Sequence, residues 1–429
     1  MSDWETVPLA SLVAPGRSIS YGIVQPGAQV PNGVPILRVG DIRGGRISTE
    51  STLRVEPAVE AAYSRTRLAG GELLLTLVGT VGETAVVPPE LAGWNVARAV
   101  AVIPIRQDVG AHWVRLALDS PTVREMINGR LNTTVQATLN LKDVAQLPVL
   151  LPSEGERRRI AAIIGAFDDK IELNRRMNQT LEAVAQTTFE SWFVDFDPVR
   201  ARAAGEADES IHERLGASGE LLAALPDSMH QSDGHEVPAG WSVKGLDEIA
   251  IYLNGLALQK YPATGDESLP VIKIAQLRLG HSVGADRAGL DVPAPYVIGD
   301  GDVLFSWSGS LEVDLWTGGP GALNQHLFKV TSPTYPKWFF YLWTKHHLQE
   351  FRQIAADKAT TMGHIQRKHL SKAKAFVPPQ SVIDAAHKVL APLIDRITAA
   401  QLEARSLGDV RDSLLPRLLS GELIPDMVE

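Results

Sequence analysis

Two groups of basic, amide and hydroxyl side chains in this chain have the chemistry needed to contact nucleic acid. Arginine, lysine, asparagine and glutamine form paired hydrogen bonds with base edges, whereas arginine, lysine and small hydroxyl groups donate to phosphates. The first half of the chain supplies Arg38, Arg43, Arg46, Arg98, Thr133, Thr134 and Gln136. The second half supplies Lys273, Gln276, Arg278, Ser308, Ser310, Asn324, Gln325, Thr360, Thr361, His364, Arg367 and Lys368. For any one of these residues, the alternative is an ordinary solvated loop position.

Several of these residues occupy equivalent positions in an internal repeat. The equivalent pairs are Arg38 and Lys273, Arg43 and Arg278, and Thr134 and Thr361. Two copies of a repeat that read different bases would differ at their base-reading positions. A polar residue shared by both copies therefore favours a contact with the DNA backbone.

Motifs for catalysis are missing from the sequence. Asp197-Pro198-Val199 is not the motif that clamps a flipped adenine, and no glycine-rich cofactor loop follows a convincing strand. The segment 79–84 lacks the Lys-Ser/Thr of a phosphate-binding loop. His235 has no second histidine at helical spacing, so a zinc site is not expected. We expect a chain that is not an enzyme and that holds no metal.

The elements that carry the polar residues form a repeated unit. Residues 34–45 (VPILRVGDIRGG) match residues 269–280 (LPVIKIAQLRLG), and residues 71–80 match residues 301–310. Short β-branched or aliphatic runs bounded by Gly and Pro predict strands, and segments with helical spacing follow them. The repeat predicts two similar lobes of mixed helix and strand.

Each lobe is followed by a segment with heptad spacing. The first stripe consists of Ile160, Ile164, Phe167, Ile171, Asn174, Asn178, Leu181, Ala185, Thr188 and Trp192. The second consists of Ala386, Leu390, Leu393, Ile397, Ala400, Ala404, Leu407, Arg411, Leu414 and Leu418. Alternating steps of four and three residues are typical of coiled-coil seams, so we predict that the two helices pair within the chain. The alternative is that each helix is buried separately on its own lobe.

Composition sets limits on location and partners. The chain has 429 residues, no cysteine and a net charge of −9, of which −6 lies in residues 201–240. That acidic segment predicts a linker with a short helix around residues 218–229 (SGELLAALPDSM). The remaining charge neither supports nor excludes DNA binding. No run is long and apolar enough to span a membrane, and no apolar signal core opens the sequence. We therefore expect a cytoplasmic protein with no membrane partner.

The helical segments carry a resemblance to a known family. Residues 156–202 (ERRRIAAIIGAFDDKIELNRRMNQTLEAVAQTTFESWFVDFDPVRAR) closely resemble the central conserved region of type I restriction–modification specificity subunits. Residues 413–423 (SLLPRLLSGEL) resemble the distal conserved region of that family, and residues 133–152 resemble the junction that leads into the central helix. In architecture, the resemblance covers the whole chain.

The resemblance implies a fold of the α/β (α+β) class. Two similar mixed α/β target-recognition domains would be separated by two long antiparallel helices that form an intramolecular coiled coil. The expected divisions are target-recognition domain 1 (1–152), central conserved helix (153–200), acidic linker (201–240), target-recognition domain 2 (241–377) and distal conserved helix (378–429).

The resemblance also implies the partners. Each domain would read one half of a split site in double-stranded DNA, and the helices would set the spacing and dock two methyltransferase subunits. Restriction/motor subunits would join for cleavage, and the S-adenosylmethionine, ATP and Mg would be bound by these partners and not by this chain. Expected partner-docking residues are Arg158, Phe167, Asn174, Trp192, Phe193 and Leu418. The aromatic cluster Phe189, Trp192, Phe193 and Phe196 is expected to pack against the first lobe. The alternative function is a two-lobed protein-interaction scaffold that does not bind DNA.

Overall fold

The computed structural model describes residues 4–50, 52–131, 137–265, 267–357 and 363–424. The chain divides into two compact units. Unit 1 comprises Met1–Asp169 and Leu407–Glu429, and unit 2 comprises Lys170–Ser406. Each unit therefore contains one lobe and a section of both long helices. The mixture of helices and strands confirms the predicted α/β class.

The first lobe is built on a four-stranded antiparallel sheet. Its strand order is Ser20–Tyr21, Val100–Ile103, Leu73–Thr76 and Thr84–Val86. A second sheet has the order Leu53–Val55, Val34–Leu37 and Asn95–Val96, and two-stranded sheets pair Ile42–Arg43 with Arg46–Ile47 and Glu5–Pro8 with Pro148–Leu151. The α-helices of this lobe are Pro57–Ala61, Ala111–Leu118, Pro121–Gly129 and Leu141–Ala145.

The second lobe repeats this plan. Its four-stranded antiparallel sheet has the order Ile251–Asn254, Leu327–Thr331, Val303–Ser306 and Val313–Leu315. Another sheet has the order Arg287–Ala288, Leu269–Ile272, Gly321–Leu323 and Val297–Ile298, and Ser242–Gly245 pairs with Lys374–Val377. The α-helices of this lobe are Leu246–Ile249, Ile274–Leu279, Lys337–His346, Leu348–Asp357 and Arg367–Lys372. Because equivalent strands have the same neighbours in both lobes, the sequence repeat is also a repeat of the fold.

The central strands read as unbroken apolar runs because both of their faces are covered. In Leu73–Thr76, Leu73 and Leu75 enter the core that contains Trp113, whereas Leu74 enters a separate core on the opposite face. Alternate side chains of a strand point to opposite faces, so burial on both sides requires apolar residues at successive positions. Val303–Ser306 divides its side chains between two cores in the same way.

The two long helices are Glu154–Phe189, of 36 residues, and Gln380–Leu419, of 40 residues. In unit 1, Ile160 and Ile164 share a core with Leu418, and the carboxylate of Asp168 accepts a hydrogen bond from Arg411 at 2.7 Å. Residue numbers therefore rise along the first helix where they fall along the second, so the two helices pack antiparallel.

The helices also pack antiparallel within unit 2. Asn174 donates to Glu403 at 2.9 Å, and Arg396 contacts the sulfur of Met177 at 3.8 Å. The positions of both predicted heptad stripes are buried or half-buried. The predicted pairing of the two helices is therefore confirmed, because apolar positions that recur every 3.5 residues keep one face on the neighbouring helix.

The segment 201–240, expected as an acidic linker, contains ordered structure. The first long helix continues into a five-residue π-helical segment, Glu190–Val194, and the helix Asp197–Ala203. The helices Asp208–Leu215 and Gly219–Ala224 and the hairpin Met229–Ser232/His235–Pro238 follow. Ile211, Leu222 and Val237 are fully buried, so the few apolar residues of this acidic segment anchor it to the core of unit 2.

The aromatic cluster at the end of the first long helix packs on the second lobe, so the expected packing on the first lobe was wrong. Phe193 lies 5.7 Å from Trp241 and 5.5 Å from Trp338, measured between ring centroids. Phe189 contacts Trp343 edge to face at 5.0 Å. The physical reason is that the second lobe supplies a large aromatic surface on Lys337–His346, and aromatic pairs stabilise such packing beyond the burial of their area.

Candidate nucleic-acid interface

A parallel strand pair in each lobe brings predicted polar residues to one sheet edge. Leu37 pairs with Val96 in parallel in the first lobe, and Ile272 pairs with Leu323 in the second. Because parallel strands end at the same edge, the residues that follow them meet there. We call this the parallel edge: residues 38 and 97–99 in the first lobe, and residues 273 and 324–326 in the second.

The backbone of the parallel edge is the same in both lobes. The backbone N–H of Arg98 donates to the carbonyl of Ile23 at 2.8 Å. The backbone N–H of Gln325 donates to the carbonyl of Leu256 at 2.9 Å. Arg98 and Gln325 are therefore structurally equivalent, although their side chains differ.

The neighbouring turn is also built twice. The hydroxyl of Thr76 donates to the carbonyl of Thr80 at 2.6 Å, and the hydroxyl of Ser306 donates to the carbonyl of Ser310 at 2.7 Å. In each lobe the same hydroxyl accepts from a backbone N–H, that of Glu83 at 2.9 Å in the first lobe. A side chain that closes a turn from both sides fixes the loop that carries the polar residues.

In the second lobe the parallel edge holds a cluster of polar and aromatic side chains. Ser308 Oγ lies 2.9 Å from Nδ1 of His326, and Nε2 of Gln325 lies 3.4 Å from Nε2 of the same ring. The ring of Trp307 lies 5.9 Å from that of His326 and 6.3 Å from that of His364. Ser308 and His364 also form a β-bridge, so three of the predicted residues come together here.

The sequence reasoning missed His326, Trp307 and Asn254 in this cluster. The indole N–H of Trp307 donates to Asn254 at 2.8 Å, which fixes the ring that contacts both histidines. No local sequence signal pointed to them, because His326 and Ala99 occupy the same backbone position in the two lobes but the segments around them differ in sequence.

Two predicted cations flank this cluster. Arg367 is exposed, donates to the carbonyl of Tyr252 at 3.4 Å, and lies 6.0 Å from the ring centroid of Phe328. Lys368 is exposed. Stacking on an aromatic ring restrains a guanidinium while leaving part of its donor fork available to a ligand.

Several predicted residues already have intramolecular partners. Arg38 forms an ion pair with Asp41 at 3.5 Å, and Lys273 forms one with Asp286. Arg46 donates to the backbone carbonyl of Asp168, on the first long helix, at 2.8 Å. Arg46 therefore lies where the first lobe meets that helix.

Two predicted amides are largely buried and bonded to the backbone. The side chain of Gln276 accepts from the backbone N–H of Lys273 at 3.3 Å and caps the helix that begins at Ile274. The side chain of Asn324 accepts from the backbone N–H of His326 at 3.2 Å. Both contacts shape the loops at the parallel edge.

Four exposed predicted cations are Arg43, Arg98, Arg278 and Lys368. Within the described ranges, none of the four has a side-chain hydrogen bond or ion pair. Arg43 and Arg278 match in the repeat but lie on different elements, since Ile42–Arg43 is a strand and Ile274–Leu279 is a helix. Thr133, Thr134, Gln136, Thr360 and Thr361 lie outside the described residues.

The predicted partner-docking residues occupy different environments. Arg158 is exposed and pairs with Glu154 at 2.5 Å, and Phe167 is half-buried. The side chains of four others are buried within their own units: Asn174, Trp192, Phe193 and Leu418. Their burial assigns them a packing role in this chain, and docking by these residues stays a prediction.

A polar cleft in unit 2 contains a carboxyl group with a shifted pKa. Burial raises the pKa of Asp314 to about 6, and the negative charge of Glu182 adds to the rise. Lys345 donates to Glu182 at 2.8 Å and to the hydroxyl of Tyr341 at 3.1 Å. This cleft joins the first long helix to the second lobe.

Two features are absent from the residues that the structure describes. No group of three or more His, Asp or Glu side chains in these ranges could hold a metal ion. No helix in the same ranges is both long enough and apolar enough to cross a membrane.

The fold and the site define a class of protein: two α/β lobes of one topology, each with a polar parallel edge, joined to an antiparallel helix pair. No protein-family model matches the chain. It is 28% identical over 335 residues to the type I restriction enzyme HindI specificity subunit of Haemophilus influenzae, covering 68% of this chain and 72% of that protein. It is 24% identical over 364 residues to the MjaIX specificity subunit of Methanocaldococcus jannaschii, covering 82% and 78%.

Two further comparisons agree with these. The type I restriction enzyme EcoBI specificity subunit of Escherichia coli is 29% identical over 190 residues, which covers 43% of this chain and 40% of that protein. The crystal structure of the S subunit of a type I restriction–modification system from M. genitalium aligns with 99% of this chain and 97% of its own, at a TM-score of 0.55 and 13% identity, and so shares the fold.

The chain is thus a homologue of type I restriction enzyme specificity subunits, and the resemblance found in its sequence is confirmed. Specificity subunits are non-catalytic, and the catalytic activities lie in partner subunits. The expectation of a non-catalytic chain agrees with this similarity.

Proposed function

We propose that this chain is the DNA-recognition subunit of a type I restriction–modification complex, in which each lobe binds one half of a bipartite duplex site. The observation that carries the proposal is the parallel edge, built twice on the same backbone with different polar side chains. A protein that reads two unlike half-sites needs equal scaffolds with unequal donors and acceptors.

We propose the phosphate contacts among the exposed cations that lack an intramolecular partner in the described ranges. Arg43, Arg278 and Lys368 meet that condition. The net charge of −9 does not oppose this role, because affinity for DNA depends on the local arrangement of cations that displace counterions. The acidic residues 201–240 contribute most of that negative charge.

We propose that the antiparallel helix pair docks two adenine-methyltransferase subunits and that restriction/motor subunits join this assembly. S-adenosylmethionine, ATP and Mg are then bound by these partners. The proposed divisions of the chain are 1–152 and 241–377 for the recognition domains, 153–200 and 378–429 for the helices, and 201–240 for the connection between them.

The test of this function is DNA binding by the assembled complex. The chain is copurified with its methyltransferase partner, and retention of duplex DNA is measured by gel shift while genomic adenine methylation is mapped in a host that carries both subunits. We expect one split methylated motif that disappears when this chain is deleted. A stable complex that retains no duplex and methylates no split motif would instead favour the protein-interaction scaffold.

A further inference from the structure

We propose that Arg98 and Gln325 are base-reading side chains at equivalent positions of the two lobes, and that Arg98 selects guanine whereas Gln325 selects adenine. This inference rests on the proposed function and deepens it by assigning one base to each half-site. It concerns one position in each half-site.

The backbone at these two positions is fixed. Two backbone hydrogen bonds hold Arg98 and Gln325 in place. The N–H of each residue donates to a neighbouring loop, and the carbonyl of the next residue accepts from the residue that follows the central strand. That second bond joins the N–H of Leu77 to the carbonyl of Ala99 at 2.7 Å, and the N–H of Trp307 to the carbonyl of His326 at 3.3 Å. A base-reading group must be held in place, because discrimination depends on the direction of its donors and acceptors.

The guanidinium group of Arg98 has donors available for a base. This side chain is exposed at the parallel edge, and no hydrogen bond or ion pair to it is found in the described part of the chain. Its neighbour Arg38, by contrast, pairs with Asp41 at 3.5 Å. The free guanidinium fork of Arg98 matches the O6 and N7 acceptors of guanine in the major groove.

The side-chain amide of Gln325 is oriented by a contact with His326. Its Nε2 lies 3.4 Å from Nε2 of His326, whose Nδ1 lies 2.9 Å from Ser308 Oγ. With the amide as donor, Nε2 of His326 accepts, and Nδ1 of the ring donates to Ser308. The second amide hydrogen and Oε1 of Gln325 then remain for N7 and the N6 amino group of adenine.

The two other predicted amides at or near this edge are bonded to the backbone. The oxygen of Gln276 accepts from the backbone N–H of Lys273, and the oxygen of Asn324 accepts from the backbone N–H of His326. Both side chains are also buried, at 9% and 5% exposure, so an amide tied to the backbone there cannot turn outward to form the paired contact with adenine. Among these three side chains, Gln325 retains that capacity.

The experiment exchanges the two side chains in the full complex. Wild type, Arg98→Gln and Gln325→Arg are each assembled with the methyltransferase partner and used to select duplexes from a random-sequence library. We expect Arg98→Gln to change one guanine to adenine in one half-site, and Gln325→Arg to change one adenine to guanine in the other. Each variant should bind the original site about 10- to 100-fold more weakly.

Two further variants separate reading from other roles. Arg43→Gln should weaken binding to all sequences and leave the selected motif unchanged. His326→Ala gives the second lobe the residue that the first lobe has at position 99, and it should reduce the preference for adenine at that single position about tenfold. The half-site read by the first lobe should stay the same and reports that the variant is folded.

The outcomes distinguish the inference from the proposed function. If wild type selects a split motif but both exchanges leave its bases unchanged, the assignment of Arg98 and Gln325 is overturned and the DNA-binding function stands. If the wild-type complex selects no sequence at all, both fail.

Discussion

Asp168 joins three parts of unit 1, and its removal gives a sharp test of how the first lobe is held on the helices. Its carboxylate accepts from Arg115 of the lobe at 3.0 Å and from Arg411 of the second long helix at 2.7 Å. Its backbone carbonyl accepts from Arg46. Burial opposes the charge of Arg411, yet hydrogen bonds with Asp168 and Asp412 raise the pKa of its guanidinium.

The exposed fractions of the three side chains determine how much stability we expect Asp168→Ala to lose. The side chains of Arg115, Asp168 and Arg411 are 12%, 23% and 29% exposed. Breaking a fully buried pair costs about 3–5 kcal/mol, because the remaining charge is left without a partner. Here Arg115 keeps Asp119 at 3.6 Å and Arg411 keeps Asp412 at 2.7 Å. We therefore expect a loss of about 2–3 kcal/mol.

The assay must report on unit 1, because a chain of two units need not unfold in one step. Native-state hydrogen exchange of residues 407–419 measures the local free energy of opening of that helix section. Asp169→Ala is the matched control: Asp169 is exposed, and no ion pair to it is found within the described ranges, so its effect should stay within about 0.5 kcal/mol. Equal effects of Asp168→Ala and Asp169→Ala would refute the reasoning.

Three other predictions concern the DNA contacts, the polar cleft and the aromatic cluster. Arg43→Ala or Arg278→Ala should each weaken DNA binding across sequences and reduce the salt slope by about 1, and an unchanged slope would remove that residue from the phosphate set. Because the pKa of Asp314 is about 6 and its ordinary value is 3.8, the folded state binds more protons between these values, so the free energy of unfolding falls as pH rises through them. Asp314→Asn should remove this pH dependence, and above pH 6 its free energy of unfolding should exceed that of the wild type by up to about 3 kcal/mol, measured by urea unfolding. If the free energies of unfolding of the two proteins changed with pH in parallel, the prediction would be contradicted. Phe193→Ala should destabilise unit 2 by about 3–5 kcal/mol in the same assay, whereas a loss below about 1 kcal/mol would mean that the cluster does not support the fold.

The pairing of the long helices could be predicted because it depends on local periodicity. Each heptad position faces the seam wherever the helix continues, so the apolar stripe from Ile160 to Trp192 identified the buried face without knowledge of its partner. Asn174 and Asn178 also fall on this stripe and are buried, at 1% and 7% exposure. The repeat likewise predicted two lobes of one topology, since equal patterns of strands and turns build equal sheets.

The roles of single polar residues could not be predicted, because they depend on partners distant in sequence. Arg46 bonds to the backbone of Asp168, 122 residues away, and no local pattern contains that information. The direction of the aromatic cluster was missed for the same reason: Phe193 follows the first lobe in sequence, but its partners Trp241 and Trp338 belong to the second. The side chain of Gln276, predicted as a DNA contact from its residue type, caps a helix through the backbone of Lys273, and its contact with DNA stays a prediction.

Whether equivalent positions of the two lobes carry similar or different residues follows from the role of each position. The hydroxyl at Thr76 and Ser306 is retained in both lobes because it closes a turn with two backbone bonds, and its loss would leave those groups unpaired. At Arg98 and Gln325 the backbone makes the same hydrogen bond whichever side chain is present, so the loop does not depend on the identity of that side chain. A specificity protein that must acquire new half-sites needs such positions. On the proposed function, the equal turns support the lobe and the unequal edge residues would distinguish its target.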